Sequence, residues 1–80
     1  SNLAQFKNKM NQLEAVTETN FITENNTKYI QIIWPHNPAE NATQINQITN
    51  QYPNIGQVIP SEQLRQHNPP NKHTQYYTTK

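Results

Sequence analysis

The aliphatic side chains of this chain end at Leu64, and those before it recur at the spacings of helices and strands. Only 31 % of the 80 residues are apolar, against roughly 45–50 % in an average globular chain with glycine counted. So few apolar residues form a core only if nearly all of them lie on the buried faces of regular elements. The length is that of one small domain. We expect a compact domain over residues 1–66 and a flexible C-terminal tail over 67–80.

Two stretches have the apolar period of an amphipathic helix. The second of them covers residues 38–51, with Asn37 as its cap and Pro38 at the first helical position. The first begins the chain and is expected to end within residues 16–19. Its apolar residues recur three or four positions apart: Leu3, Phe6, Met10, Leu13 and Val16.

Stretches rich in β-branched and aromatic residues predict strands over 21–23, 28–34 and 55–59. The polar residues 24–27 separate the first two strands, which is typical of a hairpin. Helix 38–51 connects the second strand to the third, so we expect these two to be parallel neighbours joined by a right-handed crossover. The predicted fold class is therefore α+β, a small single domain of order α-β-β-α-β. Its three-stranded mixed sheet would have two helices packed on one face.

The end of the chain contributes little to this core. Residues 61–67 predict one helical turn, with Ser61 as its cap and Leu64 as its only apolar residue. Beyond it, two adjacent prolines and the absence of aliphatic residues favour a mobile tail. The alternative is that Tyr76 and Tyr77 pack back on the domain or form an edge strand, since tyrosine is common in strands.

Charge and composition exclude several classes of function. The net charge is +1 and the six cations are scattered, so the basic patch of a nucleic-acid-binding protein is not expected. The glutamates stand apart, Asp and Cys are absent, and the three histidines lack the spacing of zinc ligands, so we expect no metal site. A single glycine excludes the glycine-rich loops that hold nucleotide phosphates. No stretch approaches the roughly 20 apolar residues of a membrane span.

Residues suited to catalysis are equally scarce. Ser61 and His67 lie six residues apart, but no glycine-bearing turn exposes the serine as a nucleophile. Ser61 is therefore interpreted as a helix cap. We expect no catalytic residue, no cofactor and no enzymatic activity.

The aromatic residues remain as candidates for a binding surface. Trp34 ends a strand beside the rigid loop Pro35-His36, where binding surfaces are often built, but the favoured interpretation places it on the core face with Ile30 and Ile32. The outer strand 21–23, and strand 55–59 if it also lies at an edge, leave open sheet edges to which a partner can add a strand. The stripe of the first helix is a further partner-facing candidate. The predicted binding residues are Phe21, Tyr29, Trp34, Pro35, His36 and Tyr52.

The strand-helix-strand pattern over 28–59 resembles small α/β modules of bacterial envelope proteins, among them peptidoglycan-binding repeats and periplasmic secretion or pilus accessory domains. The helix that leads from Ser1 into a sheet also resembles a pilin-type subunit whose apolar anchor is missing. These resemblances imply a non-enzymatic protein-protein interaction domain, periplasmic or exposed on the cell envelope, that binds a protein partner or its own copies. Two alternatives stay open. One is a glycan- or peptidoglycan-binding module that uses Tyr29, Trp34 and amide side chains, and the other is a cytoplasmic or phage-encoded adaptor.

Overall fold

In the computed structural model, which describes residues 1–80, the first periodic stretch forms helix α1, Asn2–Asn11. Ser1 caps it, since its hydroxyl oxygen accepts a hydrogen bond from the Ala4 N–H at 3.3 Å. The predicted end at residues 16–19 is wrong. The chain leaves the helix after Asn11 and turns back, so that the Thr17 N–H can donate to the Ile33 carbonyl at 2.8 Å.

The hairpin is confirmed, with longer strands and a tighter turn than expected. Strands β1 (Glu18–Glu24) and β2 (Thr27–Trp34) are antiparallel, and only Asn25 and Asn26 connect them. Both asparagines have positive φ, 50° and 64°. A two-residue turn of this kind needs two left-handed residues, and asparagine tolerates that conformation better than most side chains.

The second helical stretch begins with a single 3₁₀ turn, Pro38–Asn41, and continues as helix α2, Ala42–Thr49. The predicted cap is confirmed, since the Asn37 side-chain oxygen accepts from the Ala39 N–H at 3.0 Å. Strand β3, Ile55–Val58, follows, and then the one-turn helix α3, Glu62–Arg65.

The last stretch differs most from expectation, because His73–Thr79 forms a fourth strand, β4. The flexible tail predicted over 67–80, and with it the domain limit at residue 66, is therefore wrong. Tyr76 and Tyr77 are almost completely buried, one on each face of the sheet. These two phenols replace the aliphatic residues that the segment lacks, and its three threonines favour extended backbone.

The strand order is β1-β2-β4-β3, and every neighbouring pair is antiparallel. The α+β class is confirmed, but the three-stranded mixed sheet is not. Strands β2 and β3 do run in the same direction, as a strand-helix-strand connection predicts. They are not neighbours, because β4 is inserted between them and hydrogen-bonds to both.

The core lies between the sheet and the helices α1 and α2, which pack on the same face, called the helix face below. Its buried residues come from both helices, three of the strands and the residue Tyr52: Phe6, Met10, Ile30, Ile32, Trp34, Ile45, Ile48, Tyr52, Ile55 and Tyr77. Helix α3 lies over the opposite face, where Leu64 and Tyr76 are buried. No helix combines the length and the apolar character that crossing a membrane requires.

Candidate functional site

Two of the six predicted binding residues lie inside the core. Trp34 is 1 % exposed, and its indole N–H donates to the Gln75 side-chain oxygen at 3.0 Å. The Tyr52 ring is buried against the edge of Phe6, with ring centroids 5.8 Å apart. These two rings therefore contribute to packing rather than to a surface.

The other four predicted residues lie in three separate places. Pro35 and His36 are exposed in the loop after β2. Tyr29 is half-buried on the opposite face of the sheet, where it pairs with Ile22. Phe21 lies in the middle of β1 and is 42 % exposed. The six residues do not form one patch, and Phe21 is the one whose ring is presented on a sheet edge.

Strand β1 offers its backbone as well as the Phe21 side chain. The pair Glu24 and Thr27 closes a two-residue turn, and such a closing pair exchanges both of its hydrogen bonds. Because hydrogen-bonded and non-hydrogen-bonded pairs alternate along an antiparallel ladder, the N–H and C=O groups of Thr19, Phe21 and Thr23 point away from β2. The outer edge of β1 therefore presents the backbone groups of Phe21 and Thr23, which have no strand partner, whereas Thr19 is only 8 % exposed.

Two lysines flank the Phe21 ring on the helix face. The ammonium of Lys28 lies 4.6 Å from the ring centroid, and that of Lys7, from α1, lies 5.2 Å away. Both distances are within the range of cation–π attraction. The opposite face of the same strand is acidic. Glu18 accepts a hydrogen bond from Asn20 at 3.0 Å, and Glu24 lies 2.9 Å from the His67 ring nitrogen.

Sequence reasoning identified Phe21 but missed both lysines. Lys28 lies diagonally across the ladder from Phe21, since it pairs with Thr23. Once the turn is placed at Asn25-Asn26, that neighbourhood follows from the register, so the signal was present in the sequence. Lys7 reaches the ring only through the packing of α1 on the sheet, and no local pattern indicates that.

A buried polar cluster fixes α3 to the opposite face. The Gln31 amide donates to the His67 carbonyl at 2.9 Å and to the Tyr76 hydroxyl at 3.1 Å. That hydroxyl in turn shares its proton between the Leu64 carbonyl and the Asn68 side-chain oxygen. Burial raises the pKa of Tyr76, and the hydrogen bond from Gln31 partly offsets this effect. Each polar group here has a partner within the protein, so the cluster serves the fold.

The structure contains no group of three His, Cys, Asp or Glu residues close enough to hold a metal ion. Comparison of the chain with protein-family models, with curated proteins and with solved structures found no match. The edge of β1 around Phe21, with Lys7 and Lys28, is the candidate site, called the Phe21 edge below.

Proposed function

We propose that this chain is a non-enzymatic protein-interaction domain that binds an extended segment of a partner along the Phe21 edge. The observation that carries the proposal is the exposure of Phe21, 42 %, on the strand whose outward backbone groups are unpaired. Strand addition uses main-chain hydrogen bonds for affinity and side-chain contacts on alternate residues for specificity. An exposed aromatic ring beside such an edge supplies the apolar contact that fixes the register of the added strand.

The charges around this edge specify the partner strand. An apolar side chain opposite Phe21 would cover the ring, and carboxylates two residues to either side of it would reach Lys7 and Lys28 on the helix face. On the other face, Glu18 and Glu24 favour a partner with basic or neutral polar residues. One face of the partner strand should therefore carry an apolar residue between two acidic residues, and its other face should carry basic or neutral polar residues.

The same charges oppose pairing of β1 with a second copy of itself. An antiparallel pairing centred on Phe21 would bring two pairs of lysines around the two rings. It would also place Glu18 of one copy opposite Glu24 of the other, and like charges directly opposite each other destabilise a strand pair. We therefore favour a different protein over self-association.

A titration with short blocked peptides tests the proposal. The probe peptide alternates Glu-Val-Glu on one face with threonines on the other, and the control peptide has Lys in place of each Glu. Backbone amide shifts on the isotope-labelled domain should concentrate in β1, and the Glu peptide should bind about tenfold more tightly than the Lys peptide. Shifts outside β1, or equal affinity for both peptides, would contradict the proposal.

Three variants sharpen that experiment. Phe21→Ser should weaken binding of the Glu peptide about tenfold. Ile59→Ser is the matched control, because Ile59 is the other exposed large apolar residue, 95 % exposed, and follows β3 at the opposite edge of the sheet. Lys28→Glu should shift preference toward the Lys peptide, which a variant that merely loosens the fold would not do.

We also propose that the partner belongs to an assembly of the cell envelope, such as a pilus or secretion system. The support is the strand-helix-strand order of residues 28–59, which resembles that of small envelope modules, although β4 separates the two strands in this fold. Fractionation of source cells with an antibody against the domain tests it. Recovery with the periplasm or envelope supports the placement, and recovery in the cytosol would favour the adaptor alternative.

A further inference from the structure

A groove of about 310 Å³ lies on the helix face, between the 3₁₀ turn, α2 and the strands β3 and β4. Its volume is at the lower end of the range of small-ligand sites. Four carboxamides line it, each from a different segment of the chain: Asn37, Asn46, Gln57 and Gln75. Ala42 and Ile45 of α2 contribute an apolar wall. No ionisable side chain lines the groove.

The orientation of the Gln75 amide is set by the core. The Trp34 indole can only donate, and it donates to the Gln75 side-chain oxygen at 3.0 Å. The Tyr77 hydroxyl approaches the same oxygen at 3.4 Å. The amide nitrogen of Gln75 therefore carries the two donors that have no partner in the protein, and it belongs to a side chain that lines the groove. The donor is held in place before any ligand arrives.

The other three carboxamides add further hydrogen-bonding groups. The Asn37 oxygen is used to cap the 3₁₀ turn, which leaves its amide nitrogen as a donor. Asn46 and Gln57 are exposed, and neither side chain hydrogen-bonds within the protein, so each offers one acceptor and two donors. The groove thus combines neutral donors, neutral acceptors and a small apolar wall.

We propose that this groove binds a neutral saccharide. A sugar ring carries hydroxyl groups, each both donor and acceptor, around its rim, and the C–H groups of its faces are apolar. Carboxamides that converge from four segments match such a rim, and Ala42 and Ile45 match such a face. An anionic ligand would lack a cation here. An extended peptide would need a line of groups along one strand rather than groups from four segments.

This proposal does not depend on strand addition at the Phe21 edge. The groove involves β3, β4 and α2, whereas the Phe21 edge is the outer side of β1, at the other end of the sheet. The saccharide site also differs from the surface of Tyr29 and Trp34 that the sequence suggested, because Trp34 acts through its hydrogen bond to Gln75 rather than as an exposed ring.

The single tryptophan provides the test. Its indole N–H gives one side-chain signal in a nitrogen-15 spectrum, and a ligand on Gln75 should shift that signal. The probes are the neutral trimers of glucose and of N-acetylglucosamine, and a blocked Gly-Ala-Gly peptide, each added up to about 10 mM because affinities of such small ligands are commonly weak. We expect a saturable shift of the Trp34 signal with at least one trisaccharide.

The double variant Asn46→Ala, Gln57→Ala should weaken that binding about tenfold or more. The matched control is Gln47→Ala, Asn50→Ala, which removes two exposed amides from α2 and its end but none that line the groove. No shift with either trisaccharide overturns the proposal. So does a response to the peptide alone, or equal binding by the groove and control variants.

Discussion

At the scale of single residues, the two adjacent tyrosines of β4 show how a polar sequence builds a core. Tyr76 and Tyr77 point to opposite faces, and each is at most 2 % exposed. Tyr76 anchors α3 through its hydroxyl, while Tyr77 packs on Phe6 with ring centroids 4.9 Å apart. The ring of a tyrosine supplies at least as much apolar area as an aliphatic side chain. Its burial is favourable when the hydroxyl has a hydrogen-bond partner.

The burial of Tyr77 predicts a fall in stability at high pH. Burial raises the pKa of Tyr77 to about 12, whereas tyrosine in the unfolded chain titrates near 10. Between these values the unfolded state binds fewer protons than the folded state, so the free energy of unfolding falls as pH rises. Below about pH 10 this group has no effect, and by about pH 12 it accounts for a loss of about 2–3 kcal/mol.

Urea unfolding at a series of pH values between 9 and 12 measures this loss. Tyr77→Phe is the comparison, because it keeps the ring and removes a hydroxyl whose contact with Gln75 is a long 3.4 Å. The variant should lose less stability than the parent over that interval, by about the amount assigned to Tyr77. Parallel pH profiles for the two proteins would show that the hydroxyl ionises at its ordinary pKa.

At the scale of elements, the hairpin β1–β2 depends on its two-residue turn. Asn26 has φ 64°, where a side chain costs free energy that glycine avoids. Asn26→Gly should therefore stabilise the domain by about 0.5 kcal/mol, and Asn26→Ala should destabilise it by about 1 kcal/mol. Thermal or urea unfolding measures both changes.

Asn50 provides the control for the turn, since it caps the end of α2 with φ −64°. Glycine gains nothing at a right-handed position, so Asn50→Gly should be neutral or destabilising. A gain at Asn50 equal to that at Asn26 would mean that the gain does not arise from the left-handed conformation of the turn.

Apolar periodicity was sufficient to predict the presence of α1 and α2, although not the end of α1, and β-branched and aromatic content predicted the hairpin and β3. Strand β4 was missed because His73–Thr79 has no aliphatic residue and follows two adjacent prolines, which were interpreted as the start of a mobile tail. The three threonines and two tyrosines of that segment were the available signal, and they favour a strand. The connection through α2 correctly implied that β2 and β3 run in one direction. Only the later strand could show that they are separated.

A candidate site could be predicted from the sequence where its residues belong to one hairpin, and not where they come from distant segments of the chain. Phe21 is apolar on an outer strand, and the hairpin register then places Lys28 beside it. The groove assembles Asn37, Asn46, Gln57 and Gln75 from segments far apart in the chain. The groove exists only because β4 lies next to β3. Since β4 was not predicted from the sequence, the groove could not be predicted either.

At the scale of the whole molecule, the chain cannot complete its sheet until its last residues are in place. Strand β4 hydrogen-bonds to both β2 and β3, so it joins the hairpin to the strand that follows α2. Without it, β2 would expose one edge and β3 would lose its only partner strand. Residues near both ends of the chain, Phe6 and Tyr77, therefore lie in the same core.

Removal of residues 67–80 should therefore unfold the domain rather than trim it. The shortened chain 1–66 loses the buried Tyr76 and Tyr77, and small domains have only about 5–15 kcal/mol of stability to lose. We expect a disordered circular dichroism spectrum and collapsed amide dispersion. Removal of Lys80 alone is the control, since it gives up one backbone hydrogen bond, to the Asn54 carbonyl at 2.8 Å, and should leave the fold intact. A cooperative thermal transition in chain 1–66 would show that the hairpin, α1 and α2 form a stable core by themselves, and that β4 is an addition to it.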